Sequence, residues 1–341
     1  MTSLHERDAY WYWILVVSIG ITTVCGNTVV IYLILTRRIL HASANWFIVS
    51  LSSADLLVGL VVIPTYVIHT FWVQLNFHAL STFYNLILYV SVGNLCVMTG
   101  DRYLAITRPL KYGSLMTRSK VLVMIFTAWI IPTGISLLSF LWRTSGTNRE
   151  RATVQRVYVG LTVVCFEIIP CFMMLLVYSH LYFITRAHTR RIAAQESVKE
   201  RYSGSGFTNT RRQRNRERSS LKVFASVALL FVFCWLLSAY RGFCDVFSLC
   251  SVTIEVVQVS RILIFSNSAV NVVVYSLLKK DIRAELKRFL RCRRRQQSLV
   301  LNLAVRVRET LAANRSLDIE TEAPTDPNLG IAWIRGEAFN F

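Results

Sequence analysis

Formal charge is missing from most of this sequence. Only 17% of the 341 residues are Asp, Glu, Lys or Arg, against 54% apolar, and both figures depart from the balance of a soluble globular chain. The gaps are long: no charged side chain occurs in 9–36, 39–54, 56–100, 121–142, 157–166, 168–185, 223–240 or 262–278. The sequence also lacks a metal-ligand cluster at recognisable spacing, a glycine loop that would cradle phosphate, and a Ser-His-Asp set with a spacing to argue from. Without such motifs an enzyme is not the expected reading. No internal repeat is visible, which weighs against the runner-up class, a transporter built from inverted repeats with paired interrupted helices.

The uncharged blocks carry the fold. One helical bilayer crossing needs ~20 predominantly apolar residues. Cutting the blocks at His41–Ala44 and Gln74–His78 gives seven spans, 10–35, 45–70, 79–106, 121–141, 157–184, 221–243 and 254–278. A soluble core helix accounts for one of these, not for seven in series. The sequence predicts an all-α membrane protein, a seven-transmembrane helix bundle. The first apolar run continues from Tyr10 to Thr36, too long for a cleaved signal peptide. Trp11 and Trp13 near its start suit an interfacial aromatic belt.

Basic residues orient the bundle. Arg37 and Arg38 follow span one, and Arg108, Lys111, Arg118 and Lys120 separate spans three and four. Eleven Lys or Arg lie from Arg186 to Lys222, and thirteen from Lys279 onward. The other side has Arg7 and the four arginines 143, 149, 151 and 156 in a loop expected over 142–156. The positive-inside rule puts residues 1–9 outside the cell and the tail in the cytosol. The net charge of +19 therefore points to anionic inner-leaflet lipid and topology, not to nucleic acid.

Between spans five and six, "KERYSGSGFTNTRRQRNRERSS" reads as a mobile cytosolic loop flanked by helical extensions. After the bundle (10–278), residues 279–292 place Ile282, Leu286, Phe289 and Leu290 on one face of a short amphipathic membrane-surface helix. Cys292 ends it, placed for palmitoylation, with an unmodified thiol as the alternative. Residues 293–341 are polar, turn acidic, and read as a disordered cytosolic tail.

Polar exceptions inside the spans narrow the function. Span one carries Asn27 after Gly26, span two carries Asp55 in "NWFIVSLSSADLLVG", and span three ends in "GDRYLAITRPLKY" before "MTRSK". Span four holds Trp129, span five Pro170 and Tyr178, span six "FVFCW", and span seven "NSAVNVVVY". Over residues 10–292 this series resembles the rhodopsin-like G-protein-coupled receptors, with the amine-receptor and opsin-like branches as distant likenesses. The Asp101-Arg102-Tyr103 triplet is the most specific match. The resemblance implies a plasma-membrane receptor that binds an extracellular small ligand and activates heterotrimeric G proteins by outward movement of span six. Arrestin-type regulators and membrane lipid are its other implied partners, and no cofactor is required.

Departures from the family pattern are equally visible. Leu237 and Val272 stand where the family usually has prolines, so spans six and seven are expected straighter than the family norm. Phe77 replaces the cysteine atop span three, and 142–156 has no partner for one. Cys244 and Cys250 either bridge or remain free on an oxidising face. Phe265 stands where an opsin carries its Schiff-base lysine, which argues against light sensing through a covalent chromophore. Tyr84, with Asn85 beside it, occupies the position of the amine receptors' aspartate.

Arg241 above Trp235 and Arg261 near the top of span seven suggest an acidic small ligand, since arginine holds carboxylates and phosphates bidentately. Both arginines snorkelling to headgroups is the alternative. Glu167, a membrane-depth carboxylate, pairs either with a ligand amine or with Arg241. The resemblance implies that Glu217, 18 residues and about five turns before Trp235, latches Arg102 in the inactive state, with Tyr178 and Tyr275 stabilising the open one. A solvated Glu217 is the rival reading. Asn27, Ser91, Asn267, Ser268 and Asn271 are the polar residues expected to keep Asp55 company, and Asp55, Ser91, Asn267 and Asn271 match the family's sodium pocket, with Na⁺ as an allosteric ion. A protonated Asp55 in a dry polar cluster is the alternative there.

Overall fold

In the computed structural model, residues 10–73, 75–140, 148–200, 229–244, 246–247, 250–278 and 281–291 are described; the side chains at 44, 77, 78, 148, 185, 188–200 and 275–278 lie outside that description. Among the described residues, secondary structure is helical throughout. Six helices are long and apolar enough to cross a bilayer: Tyr10–Thr36, Asn45–Phe71, Ala79–Thr107, Arg118–Leu138, Arg149–Ile184 and Ile254–Val274. A shorter apolar helix, Leu229–Cys244, is the described part of the expected sixth span; residues 221–228 lie outside the description. Spans one to seven below denote these helices in chain order.

Each helix is apolar nearly all round, the pattern of a membrane span. Span four buries Val121, Ala128, Pro132 and Ser136 while exposing Leu122, Val123, Phe126, Ile130 and Ile131. Spans one, two, three and six bury large side chains on their inner faces, Tyr12, Phe47, Leu51, Leu95, Met98 and Phe231, all essentially inaccessible. Glycine permits the closest approaches. A β-carbon on Gly26 would stand 2.6 Å from Val272 Cγ1, and one on Gly93 would stand 2.8 Å from the Ala128 carbonyl oxygen.

Two π turns interrupt the α-helical register, Val58–Val62 in span two and Val164–Ile168 in span five. Each ends two residues before a proline, Pro64 and Pro170. A proline ring crowds the carbonyl four residues back and donates no hydrogen bond, so one wider turn relieves the conflict. Pro132 sits inside Arg118–Leu138 without such a turn. Where prolines are missing at Leu237 and Val272, Leu229–Cys244 and Ile254–Leu278 run unbroken.

Span five is longer than the apolar count predicts. Its helix begins at Asn148 rather than near 157, so much of the loop expected over 142–156 is helical. Apolar counting cannot see polar helical turns, and here Glu150 in the first turn complements the helix dipole. At its other end the helix runs to Glu200. Cys244 and Cys250 form a disulfide, with Cα atoms 5.2 Å apart, within the usual bridging range.

The chain divides into two units, Met1–Leu286 and Lys287–Phe341. In the first, Ile282 is fully buried and Glu285 nearly so. Glu285 Oε2 stands 3.7 Å from Arg37 Nε, tying the helix after span seven to the turn after span one. Of the second unit, 287–291 are described, as helix.

Candidate functional site

Span three carries three functional levels in sequence order. The first is a cavity of about 610 Å³ whose lining includes Tyr84, Asn85, Glu167, Trp235, Arg241 and Arg261. All six sequence-derived ligand candidates therefore face one space, although they come from four spans. Glu167 is delivered by the π turn, which sets Phe166 flat against Tyr89 at 4.4 Å between ring centroids and leaves Glu167 on the cavity wall. Glu167 is 5% exposed. Ser238 hydrogen-bonds its carboxylate and the Arg241 guanidinium acts on it electrostatically. Its Oε2 accepts no hydrogen bond from the described residues.

Arg261 is engaged differently. Its guanidinium lies 4.8 Å from the Tyr66 ring centroid and donates to the Tyr66 hydroxyl. That hydroxyl also accepts from Tyr12 at 3.0 Å. One arginine thus joins spans one, two and seven, a role the sequence did not signal because Tyr12 and Tyr66 look like ordinary aromatic core. Trp235 is 2% exposed and stacks on Phe231 at 5.6 Å.

The second level lies about 9 Å further along span seven, six residues past the cavity-lining Phe265 at a 1.5 Å rise per residue. Asp55 is completely buried. Ser91 donates to its Oδ1 at 2.8 Å and Asn271 to its Oδ2 at 2.9 Å, with Ser268 a further hydrogen-bonding neighbour. The reading from sequence paired Asn267 with Asn271. Asn267 is buried at 5% exposure, and of the two adjacent candidates it is Ser268 that is among the groups bonded to Asp55. Asn267 and Ser268, four and three residues from Asn271, both share a face with it, so the rotation of span seven in the packed bundle decides which one meets Asp55. Asn27 sits against the same serine, its Nδ2 3.5 Å from the Ser268 carbonyl oxygen.

At the third level Arg102 Nη2 pairs with Asp101 Oδ2 at 3.1 Å. Asp101 is fully buried, and its Oδ1 accepts a hydrogen bond from Tyr112 at 2.7 Å. Burial, then the bond to Asp101, pushes the Tyr112 phenol up from its ordinary value, so it stays protonated and donating at physiological pH. Tyr178 faces inward beside Thr99, with Arg102 acting on it electrostatically. Tyr103 lies against the His180 ring at 5.8 Å. Glu217, Cys292 and the Tyr275 side chain fall outside the described residues.

Residues 26–275 match the family described as "7 transmembrane receptor (rhodopsin family)". The chain belongs to this family. It is 27% identical over 287 residues to trace amine-associated receptor 8b of Rattus norvegicus, covering 79% of this chain and 82% of that one. It is 28% identical over 301 residues to the histamine H2 receptor of Cavia porcellus, covering 82% and 79%. The probable G-protein coupled receptor No18 of Amphibalanus amphitrite is 28% identical over 345 residues, covering 82% and 90%. Membership makes this a multi-pass membrane receptor, not an enzyme, and Leu229–Cys244 supplies the sixth of the family's seven helices.

Two parts of this receptor's polar machinery escaped the sequence reading. Ser50 donates to Asn94 Oδ1 at 2.5 Å and accepts from Trp129 Nε1 at 2.9 Å, clamping spans two, three and four. Trp129 was visible; its partners look like unremarkable helix residues. Tyr112 was seen only as part of a loop. Because its hydroxyl holds Asp101, Tyr112→Phe is expected to raise basal G-protein activation. The check is ligand-free nucleotide exchange at matched surface expression, and an unchanged rate removes the assigned role.

Proposed function

We propose that this receptor is a G-protein-coupled receptor for a small amine, taken into the cavity from outside the cell and answered by outward movement of span six. The carrying observation is the layout along span three: a cavity beside Trp235, a buried carboxylate cluster at Asp55, and Arg102 held by Asp101. The relatives' names, histamine H2 receptor and trace amine-associated receptor, support an amine. The acidic ligand suggested by Arg241 and Arg261 has less support, because both guanidiniums face protein groups, Glu167 and Tyr66. The basic side of the bundle would face the cytosol at the plasma membrane, where anionic lipid, G protein and an arrestin-type regulator would meet it.

In this reading Asp101 and Glu217 together hold Arg102 in the resting state, and Tyr178 and Tyr275 support the open one. A small hard cation fits the Asp55 level. Asp55, Ser91 and Ser268 present oxygens there, Asn267 and Asn271 add carboxamides, and Asn27 Oδ1 is buried with no hydrogen-bond partner among the described residues. When bound, Na⁺ would supply a fixed positive charge that offsets the buried carboxylate; the residues themselves tie spans two, three and seven together. Glu217→Ala is expected to raise ligand-independent nucleotide exchange on G proteins, and Arg102→Ala to lower it. Unaltered basal exchange in Glu217→Ala at matched surface expression would count against the latch.

A further inference from the structure

The charges around the cavity do not carry equal roles. Among the described residues Glu167 is the only acid in its lining, and span three contributes Tyr84 and Asn85 there but no carboxylate. Glu167 is 5% exposed, and its Oε2 accepts no hydrogen bond from the described residues. A buried carboxylate oxygen left that way carries a desolvation cost that a donor from a ligand would remove. The π turn Val164–Ile168 holds the backbone at this point, so the carboxylate does not depend on a mobile loop for its aim. Around it the lining is rich in rings, including Tyr84, Tyr89, Trp235 and Phe265, whose negative faces favour a cation.

We infer that Glu167, on span five, is the anchor for the ligand's ammonium group, and that the ligand is a small amine with an apolar or aromatic body. This rests on the cavity being the ligand site, as proposed above. Arg241 then acts as a competitor: its guanidinium acts on the same carboxylate and is displaced or offset when an ammonium arrives. Arg261, occupied with Tyr66, braces the wall rather than holding a ligand acid.

The two arginines give the test its sign. Full-length receptor purified in detergent is unfolded thermally with histamine, phenethylamine or cadaverine, and separately with imidazoleacetate or phenylacetate. At least one amine is expected to raise the melting temperature of wild type. Glu167→Gln should weaken that amine's apparent affinity about 30-fold or more, the scale of losing one buried charge pair. Glu167→Asp should retain part of it, and Arg241→Gln, which removes the competing guanidinium, should tighten it. Each variant's own melting transition without ligand shows whether it folds.

Three results overturn the inference: no amine stabilises wild type, Glu167→Gln binds amine as wild type does, or an acid stabilises and Arg261→Gln abolishes the effect. Thermal unfolding reads binding alone. A receptor that binds amine through Glu167 but activates no G protein would therefore sink the signalling proposal and leave this one standing.

Discussion

Replacing Asp55 by Asn is expected to abolish any dependence of this receptor on sodium and to impair signalling. In wild type, exchanging a large organic cation for Na⁺ at constant ionic strength should lower agonist affinity by about 5-fold or more, the usual range of an allosteric coupling. The reason is the isolation of the charge. Asp55 is the one formal charge between Arg38 and Asp101, and a carboxylate at membrane depth costs at least ~2.5–3.5 kcal/mol on insertion scales. Ser91 and Asn271 each give its oxygens one hydrogen bond, but neither brings a counter-charge. A bound cation would supply one. Asparagine keeps the shape and removes the charge, so the ion loses its main ligand while the neighbours keep a polar partner. Equal sodium effects in wild type and Asp55→Asn, or none in wild type, would exclude the ion and favour a protonated Asp55.

The second large effect is expected at Gly26. Gly26→Ala would set a methyl 2.6 Å from Val272 Cγ1, 3.1 Å from its Cβ and 3.2 Å from its Cγ2, so the valine must turn and still leaves a tight contact between spans one and seven. Overpacking of this kind costs typically ~1–3 kcal/mol. Surface expression and melting temperature should both fall. The double variant Gly26→Ala/Val272→Ala should recover much of the loss, because it removes both offending methyl groups. Normal stability of Gly26→Ala alone would mean that spans one and seven stand further apart than described here.

Both predictions join residues that are remote in the chain, and that is where legibility ended. Asp55, Ser91 and Asn271 could be nominated from sequence because a lone membrane carboxylate must find polar company. Whether Asn267 or Ser268 meets it could not, since neighbouring helix positions differ only by rotation about an axis that the packing fixes. The disulfide was likewise an open pair: five residues between two cysteines permit a bridge without requiring one. The π turns were hidden as well. Pro64 and Pro170 mark conflict in the helix, but Pro132 shows that a proline need not produce a wider turn.

By itself the sequence determined the solvent and the class. Charge-free runs long enough to cross a bilayer, separated by basic turns, leave few alternatives to a membrane bundle, because each unpaired charge or bare backbone group in hydrocarbon is costly. Asp101-Arg102-Tyr103 and the ordered motifs around it then pointed to the receptor family. Only the tertiary structure decided partnership: that Tyr66 engages Arg261, that Tyr112 holds Asp101, and that a π turn puts Glu167 on the cavity wall with an oxygen unserved. Those outcomes depend on angles and separations between helices, set by many weak contacts summed across spans, and no local stretch of sequence carries that sum.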